Sequence, residues 1–434
     1  MKPHFSLLVL ALSGCQSTEG YPIPVTLRDA STDAVVDAPG DAGSRPKLAV
    51  SGAQLLVTGP ALGLQLTRAN VGDDADVIAV HQEFYGIPWA AFEQGSAPPA
   101  TWVALMDDLA SFARGQQKAV FLSVNMLNGT RERLAATTRI ASGRVETDDT
   151  ASARCYDFRT APDASAKRQA YLRYVDFMVE KFDPAYVNIA VEVNLFFEKC
   201  ASAAPGLIEV ANAAYDAVKA KNAARVVFPS FQIDHLYGYS EDSCPDQGGR
   251  DACFDAHYAV IRDMKRDRFA ISSYPFLNGV NTPGDLPADW FVRAARRAAE
   301  RALIAETGWL STPVIAKTSA GNCVQVFDYG TAHSASYLRR VLSDASAAGM
   351  DLVTWWSDRD LLVSQAMTSC PCTFDAGWCG VIDVFRGPAP TGLVDTQLFG
   401  EILLKAFGTM GLRHYDGTPK PELMTLWSEL RSRP

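Results

Sequence analysis

Short apolar runs alternate along this chain with longer segments whose apolar residues recur at helical spacing. Apolar runs that are separated by helical segments predict buried, parallel strands. We assign eight such strands, at 55–58, 77–81, 119–125, 186–192, 225–230, 269–273, 302–306 and 352–356. Parallel strands need long crossover connections, and most of the segments between these runs have room for a helix.

The helical repeat is clearest in two of the connecting segments. The first stripe of apolar residues, after residue 165, consists of Tyr171, Val175, Met178 and Phe182. The second, between residue 334 and Gly349, consists of Tyr337, Val341 and Leu342. A stripe of this kind buries one face of a helix, so we predict helices that cover the outside of the strands.

Eight strands joined by helices either close into a barrel or remain an open, doubly wound sheet. The open sheet usually has a glycine-rich phosphate turn early in the chain, and this sequence has none. We therefore predict an α/β fold, a (β/α)8 TIM barrel, that forms a single domain over residues 47–434. A chain of 434 residues suits such a barrel with insertions.

The first 46 residues do not follow this pattern. A positive start, an apolar run at 5–12 and the residues Leu-Ser-Gly before Cys15 resemble a bacterial lipoprotein signal, in which the cysteine is acylated. We expect a signal peptide at 1–14 and a flexible polar tether at 15–46 that begins with the lipidated Cys15. Such a protein is exported and attached to the outer membrane or cell surface through that lipid alone. A plain signal peptide with a chance cysteine is the alternative.

The net charge of −9 and the pI near 5.3 argue against nucleic acid as a partner, because a phosphate backbone needs a basic face. The sequence contains no glycine-rich phosphate loop, no nucleophile elbow and no paired-histidine zinc motif. We therefore expect a monomer that needs neither a cofactor nor a metal ion.

Eight cysteines remain besides Cys15, and an even number in an exported protein predicts disulfides. They are Cys155, Cys200, Cys244, Cys253, Cys323, Cys370, Cys372 and Cys379. A bond between Cys244 and Cys253 would close a polar loop. The last three of the set crowd a second loop, where a metal site is the alternative to disulfides. No Cys-x-x-Cys spacing or nearby histidine supports that alternative.

Polar and aromatic residues gather at the carboxyl ends of the predicted strands, where barrel enzymes place their active sites. The candidates are His81, Glu83, Trp89, Asn125, Glu192, Asn194, Tyr274, Glu306, Trp309, Trp355 and Asp358. Glu192 and Glu306 end the fourth and seventh strands and would face each other across the barrel mouth. Retaining glycoside cleavage needs such a pair, one carboxyl to protonate the leaving oxygen and one to attack the anomeric carbon. A lone glutamate at a strand end is often a structural ion-pair partner instead.

Two segments carry a family resemblance. Residues 304–309, Ile-Ala-Glu-Thr-Gly-Trp, resemble the seventh-strand nucleophile motif of clan A retaining glycoside hydrolases. Residues 271–276, Ile-Ser-Ser-Tyr-Pro-Phe, are similar to the sixth strand of that clan, above all in the endo-β-1,4-galactanase family. The resemblance implies that Glu306 is the nucleophile, that Glu192 is the acid/base and that Tyr274 holds the nucleophile by a hydrogen bond.

The sequence departs from the clan immediately before the acid/base. The clan has an asparagine there that contacts the sugar 2-hydroxyl, whereas this chain has Val191. Side chains two apart on a strand point the same way, so Asn194 is our candidate replacement next to Glu192. Because of this departure, a barrel that binds carbohydrate without cleaving it stays an alternative.

The other candidates are contacts to the substrate. Sugar rings stack on exposed aromatic faces, which makes Trp89, Trp309 and Trp355 candidate platforms, with core packing as their alternative. Side chains that could hold sugar hydroxyls are His81, Glu83, Asn125 and Asp358, each with a structural role as its alternative.

The resemblance implies hydrolysis of a β-linked polysaccharide or oligosaccharide with net retention, and a galactan is the first candidate substrate. A non-catalytic surface carbohydrate-binding protein on the same barrel is the alternative function. A transglycosylase, which would pass the glycosyl group to a second sugar, is a third.

Overall fold

The computed structural model describes residues 45–51, 62–148, 152–239, 249–317, 323–327, 329–361, 402–403 and 405–433. The predicted signal peptide, Cys15 and most of the tether lie outside these residues. Arg45, within the predicted tether, already contacts the barrel, because its guanidinium donates to Asp76 at 2.5 Å. No helix in the described part of the chain is long and apolar enough to cross a membrane.

The strands are β1 (Lys47–Val50), β2 (Val77–His81), β3 (Ala119–Ser123), β4 (Thr137–Ala141), β5 (Arg144–Asp148), β6 (Tyr186–Ala190), β7 (Val226–Gln232), β8 (Phe269–Ser273), β9 (Ala302–Thr307), β10 (Val314–Lys317), β11 (Cys323–Phe327) and β12 (Leu352–Trp355). Eight of them form a closed parallel barrel in the order β1-β2-β3-β6-β7-β8-β9-β12. The strands β4 and β5 form one antiparallel hairpin, and β10 and β11 form another. The predicted (β/α)8 barrel is confirmed.

The first barrel strand is not where the sequence pattern placed it. β1 begins at Lys47 and pairs with β12 on one side and β2 on the other, which closes the barrel. The predicted strand at 55–58 was therefore wrong as a barrel strand, and that segment lies outside the described residues. The pattern failed because β1 begins with a lysine and includes a small alanine, whereas the nearby run at 55–58 is equally short but has larger apolar side chains.

Helices cover the outside of the barrel. Among the described residues they are α1 (Leu62–Asp74), α2 (Trp89–Gln94), α3 (Ala100–Gly115), α4 (Ala164–Phe182), α5 (Asn194–Lys199), α6 (Ala204–Lys221), α7 (Ile233–Leu236), α8 (Gly249–Ile261), α9 (Trp290–Ala298), α10 (Thr331–Ala347) and α11 (Pro421–Arg431). The two stripes that the sequence predicted are the buried faces of α4 and α10.

The barrel interior changes from apolar to polar toward the carboxyl ends of the strands. Its apolar cluster consists of Ala49, Val77, Ala79, Phe121, Tyr186, Phe228, Ala270, Leu303, Ala305 and Leu352. Because side chains alternate along a strand, the next inward position lies two residues further on. On seven strands that position is a buried polar residue: Ser51, His81, Ser123, Asn188, Ser230, Ser272 and Thr354. We call these seven residues the polar layer.

One disulfide is fully described. Cys155 and Cys200 are joined, with their Cα atoms 5.2 Å apart. Cys253 is also disulfide-bonded, but its predicted partner Cys244 lies outside the described residues, so that pairing stays a prediction. The cysteines of the 370–379 loop lie outside them as well.

Candidate active site

Glu306 reaches the polar layer because β9 contains a β-bulge. Ser272 of β8 stands opposite two residues of β9, Ala305 and Glu306. Ala305 faces the barrel interior, so strict alternation would turn Thr307 inward next. Thr307 instead contacts the Tyr337 hydroxyl of α10 at 2.9 Å, outside the barrel, and Glu306 takes the inward position. Bulges commonly re-aim side chains in this way next to active sites.

Within the described part of the chain, the side chains of Tyr274 and His81 lie against the Glu306 carboxylate. The Tyr274 hydroxyl donates a hydrogen bond to Glu306 Oε1 at 2.5 Å, the contact that the family resemblance implied. His81 Nδ1 lies 3.9 Å from Glu306 Oε2. The other ring nitrogen of His81, Nε2, is 2.9 Å from Ser51 Oγ, which fixes the plane of the imidazole.

Tyr274 is itself held by a buried carboxyl. Asp234, in the short helix α7 after β7, accepts hydrogen bonds from the Tyr274 backbone N–H at 2.9 Å and from Ser273 Oγ at 3.1 Å. Burial raises the pKa of Asp234 to about 7, although both of these hydrogen bonds act to lower it. Asp234 therefore sets, from behind, the backbone position from which Tyr274 reaches Glu306.

Glu192 lies beyond the end of β6 and has a left-handed backbone conformation, with a φ of +49°. Residues with a side chain adopt this conformation only where their surroundings hold it. Here, hydrogen bonds from two consecutive backbone N–H groups hold this conformation. The Val191 N–H donates to Asn125 Oδ1 at 3.3 Å, and the Glu192 N–H donates to Ser230 Oγ at 3.1 Å.

Both oxygens of the Glu192 carboxylate have partners. The Arg131 guanidinium donates to Oε2 at 3.1 Å, and the Ser272 hydroxyl donates to Oε1 at 2.6 Å. Ser272 is also the strand partner of Glu306. Neighbouring strands lie only about 4.8 Å apart, so Ser272 lies beside both glutamates at the barrel mouth.

The side chains of Asn125 and Asn194 both form hydrogen bonds with backbone groups. Asn125 accepts a second hydrogen bond from the Leu127 N–H at 3.1 Å. Asn194 starts α5, and its amide bonds the N–H and the carbonyl of Gln232 at 2.9 and 3.1 Å. The premise that Glu192 and Asn194 share one strand was wrong, because β6 ends at Ala190 and the chain then turns into the helix.

The three tryptophans predicted as sugar platforms lie in the core. Trp309 and Trp355 are 0 % exposed and Trp89 is 3 % exposed. Trp309 packs on Tyr337 with ring centroids 4.9 Å apart, and the Trp355 indole N–H donates to the Met410 carbonyl at 2.9 Å. Stacking on a sugar requires an exposed ring face, so these three predictions were wrong and the core-packing alternative holds.

Asp358 lies behind the barrel wall instead of in the mouth. It is fully buried, 3.7 Å from Arg413 Nε, and the same arginine pairs with Asp74 at the end of α1. Burial raises the pKa of Asp358 to about 7. The prediction that it grips a sugar was wrong, because the outer layer encloses its carboxyl. Glu83 lies in the 3-10 helix Gln82–Tyr85, and its side chain is outside the described structure, so its role stays a prediction.

Three residues of the site were missed from the sequence. Arg131 lies in an irregular connection after β3, where no periodic pattern exists to place it. Ser272 lies within the quoted sixth-strand segment but drew no attention beside Tyr274. Asp234 did carry a signal, since it follows a strand end, but the predicted strand stopped at residue 230 whereas β7 continues to Gln232.

The arrangement brings together two carboxylates, one guanidinium, one phenol and one imidazole at the carboxyl end of a closed barrel. No group of three or more His, Cys, Asp or Glu side chains in the described residues could hold a metal ion. The chemistry that these groups can perform themselves is nucleophilic attack by one carboxylate and proton transfer by the other.

No family model matches the sequence, and no curated protein does. Solved structures match it by fold. A variant of GH5_18 from Streptomyces cattleya in complex with Manβ1-4GlcNAc has a TM-score of 0.51 at 13% identity, over 89% of this chain and 80% of that chain. GH5_18 from Bifidobacterium longum subsp. longum has a TM-score of 0.51 at 13% identity, over 90% and 80%. An exo-β-1,4-mannosidase from Opitutaceae bacterium strain TAV5 has a TM-score of 0.54 at 12% identity, over 92% and 62%. At such low identity the similarity shows the barrel fold alone.

Proposed function

We propose that this protein is a retaining glycoside hydrolase that cleaves β-linked oligosaccharides or polysaccharides, with Glu306 as nucleophile and Glu192 as acid/base. The observation that carries the proposal is the position of Ser272, which bonds Glu192 and is the strand partner of Glu306. This link between two carboxylates from distant parts of the chain supports a double displacement, in which the two groups lie about 5–5.5 Å apart.

The reaction has two steps. In the first, a Glu306 oxygen attacks the anomeric carbon, the glycosidic C–O bond breaks, and the leaving oxygen takes the proton of Glu192. In the second, Glu192 takes a proton from water, the water oxygen attacks the anomeric carbon, and the ester bond to Glu306 breaks. Tyr274 keeps Glu306 in line for both steps because its hydroxyl holds Oε1.

We propose β-mannosides as the first sugars to test. The galactan expectation came from the sixth-strand resemblance, and none of the three solved structures described above is named for a galactan. Two of the three are named for a β-1,4-linked mannoside, as ligand or as activity. Because these likenesses reach the fold alone, galactans stay in the test panel.

A mechanism-based trap tests the proposal directly. The purified protein is assayed on aryl β-mannosides, β-glucosides, β-galactosides and β-N-acetylglucosaminides and on the matching polysaccharides. The active sugar is then offered as its 2-deoxy-2-fluoro aryl glycoside, which slows the second step. Peptide mass spectrometry should find the fluoroglycosyl group on Glu306, and Glu306→Gln should show neither turnover nor label. Labelling of another carboxylate, or products with inverted configuration, would overturn the assignment.

A carbohydrate-binding protein without turnover is the second candidate, and Val191 is the observation that favours it. The resemblance leads us to expect an asparagine there, and the candidate replacement, Asn194, is committed to the Gln232 backbone. Calorimetry with the same sugars separates the two functions. Binding without turnover on every substrate, unchanged in Glu306→Gln, would favour the binding protein.

We also propose that the protein is exported and anchored by a lipid on Cys15. The Cys155–Cys200 disulfide supports export, since disulfides persist in oxidising compartments. In a bacterial host the protein should fractionate with membranes, and Cys15→Ser should release it into the soluble fraction. A Cys15→Ser variant that stays in the membrane would contradict the anchor.

A further inference from the structure

We propose that Arg131 is a positioning residue for Glu192 and that the Cys155–Cys200 disulfide holds Arg131 in place. This inference rests on the proposed function, because it gives Arg131 its task at the acid/base. It adds a part that neither the family resemblance nor the sequence pattern provided.

Arg131 lies in a turn built around one side chain. Asn128 Oδ1 accepts hydrogen bonds from the N–H groups of Glu132 and Arg133, both at 3.1 Å. Arg131 itself has a φ of +57°, and its Nη1 donates back to the Asn128 carbonyl at 3.0 Å. A left-handed arginine is costly, so the turn alone is a weak support for it.

The residues on either side of Arg131 are both anchored next to the disulfide. Lys199 Nζ donates to the Thr130 carbonyl at 2.8 Å. The Cys155 N–H donates to the Glu132 carbonyl at 2.7 Å. Since Cys155 is bonded to Cys200, the neighbour of Lys199, one covalent link secures both anchors.

The same link leads back to Glu192. Helix α5 begins at Asn194, two residues after Glu192, and ends at Lys199, next to Cys200. The chain segment that carries the acid/base and the turn that carries Arg131 are therefore tied to each other at the disulfide. Arg131 Nη2 lies 3.1 Å from Glu192 Oε2, so this ion pair joins the two segments a second time, and both side chains are largely buried.

These contacts fix the plane of the Glu192 carboxylate. Arg131 holds Oε2 and Ser272 holds Oε1, so the Glu192 carboxylate cannot rotate without losing a hydrogen bond. Proton transfer depends on the direction of the carboxyl lone pair and of the proton. A displacement of about 1 Å in such a group can lower the rate by about 100-fold.

A chemical test that needs no substrate compares three variants with the parent: Arg131→Met, Arg131→Lys, and Cys155→Ser combined with Cys200→Ser. Arg159→Ala is the control, because Arg159 forms an exposed ion pair with Glu209 in the same region. Each folded protein, checked by its melting curve, is treated briefly with a water-soluble carbodiimide and an amine. The amide formed on each glutamate is quantified by peptide mass spectrometry, with Glu306 as the internal reference.

We expect labelling of Glu192 relative to Glu306 to rise at least about threefold in Arg131→Met and in the double cysteine variant. Arg131→Lys should fall in between, because a lysine keeps the charge but loses the fork of donors. Arg159→Ala should match the parent. Unchanged labelling in Arg131→Met would overturn the positioning role, and unchanged labelling in the double cysteine variant alone would overturn the role of the disulfide.

A kinetic test separates this inference from the proposed function. On a substrate with a poor leaving group, kcat should fall about 10- to 100-fold in Arg131→Met. The rate of the first step with a dinitrophenyl glycoside, whose leaving group needs no proton, should change less than twofold. Equal losses on both substrates would mean a merely structural role. If the parent cleaves no glycoside, the proposed function fails, while the labelling result still decides the inference.

Discussion

The two carboxylates at the barrel mouth are held by different parts of the molecule. Glu306 lies within a barrel strand, is turned inward by a bulge and accepts a hydrogen bond from the phenol of Tyr274. Glu192 lies beyond its strand, in a left-handed conformation, and faces the cation of Arg131. The barrel itself places Glu306, the proposed nucleophile, whereas an irregular turn and a disulfide complete the surroundings of Glu192, the proposed acid/base. The proposed mechanism thus gives two identical side chains different tasks because their surroundings differ.

The largest expected effect comes from removing each carboxylate in turn. Glu306→Gln should abolish turnover on every substrate, because the covalent step is lost. Glu192→Gln should lower kcat/KM by about 10²- to 10⁴-fold on natural linkages, while a dinitrophenyl glycoside should still react rapidly in the first step. Stopped-flow release of dinitrophenol measures this difference. The same leaving-group dependence in both variants would contradict the division of roles.

Tyr274→Phe tests the nucleophile's side of the comparison. The variant loses a hydrogen bond to a charged group, worth about 1.5–3 kcal/mol, so kcat should fall roughly 10- to 100-fold for both leaving groups. Tyr329→Phe is the matched control, since that buried tyrosine donates to the Val280 carbonyl and lies outside the described site. A loss in Tyr274→Phe that vanishes with good leaving groups would place the tyrosine with the acid/base instead.

Ser272→Ala tests the contact between the two sides and should have a smaller effect. Only the hydroxyl bond to Glu192 Oε1 disappears, because the strand pairing of Ser272 with Glu306 uses the backbone. Arg131 still holds the other oxygen, so we expect a loss of about tenfold or less in kcat, confined to poor leaving groups. Steady-state kinetics on both substrate types provide the measurement. A defect with good leaving groups would show that Glu306 had moved as well.

The last effect concerns the stability of the fold instead of turnover and belongs to Asp234, behind Tyr274. Its folded pKa of about 7 exceeds that of an unfolded aspartate. Its contribution to the free energy of unfolding is therefore fully present below about pH 4 and is lost as the pH rises to 7, by at most about 1.4 kcal/mol per pH unit. Asp234→Asn should lack this slope, so relative to the parent it gains stability from pH 4 to 7.

Urea unfolding at pH 4.5, 6 and 8 measures that difference. Asp216→Asn is the control, because Asp216 is exposed and pairs with Lys265 at the surface. Parallel curves for the parent and Asp234→Asn would mean that the buried carboxyl is ionised throughout this range.

The sequence predicted the barrel well because apolar periodicity reports burial directly. The stripes of α4 and α10 and seven of the eight barrel strands could be recognised, since each buries a regular set of large side chains. Strand ends also indicated Glu192 and Glu306, because parallel strands bring their carboxyl ends to one edge. The strand β1 was missed because the neighbouring run at 55–58, which is equally short, has larger apolar side chains than Lys47–Val50.

What the pattern could not provide is the direction of a side chain where the backbone is irregular. Asn194 was placed by assuming an extended chain that in fact turns into a helix, and Arg131 depends on a left-handed turn. Trp309 and Asp358 follow strand ends as expected, yet point into the outer layer. The end of a strand predicts where along the barrel a residue lies, to within a few positions. Whether its side chain points into the barrel mouth or into the outer layer depends on contacts with residues that are distant in the sequence.

The extra residue in β9 has a consequence for how this barrel can change over evolutionary time. Deleting Ala305 would restore strict alternation and leave Glu306 facing inward, because Glu306 would then follow Ile304 directly opposite Ser272. A substitution that straightened the bulge while keeping every residue would instead turn Glu306 outward and Thr307 inward. Such a change could remove the proposed nucleophile from the mouth without altering residue 306, so the strand register must be conserved together with the glutamate.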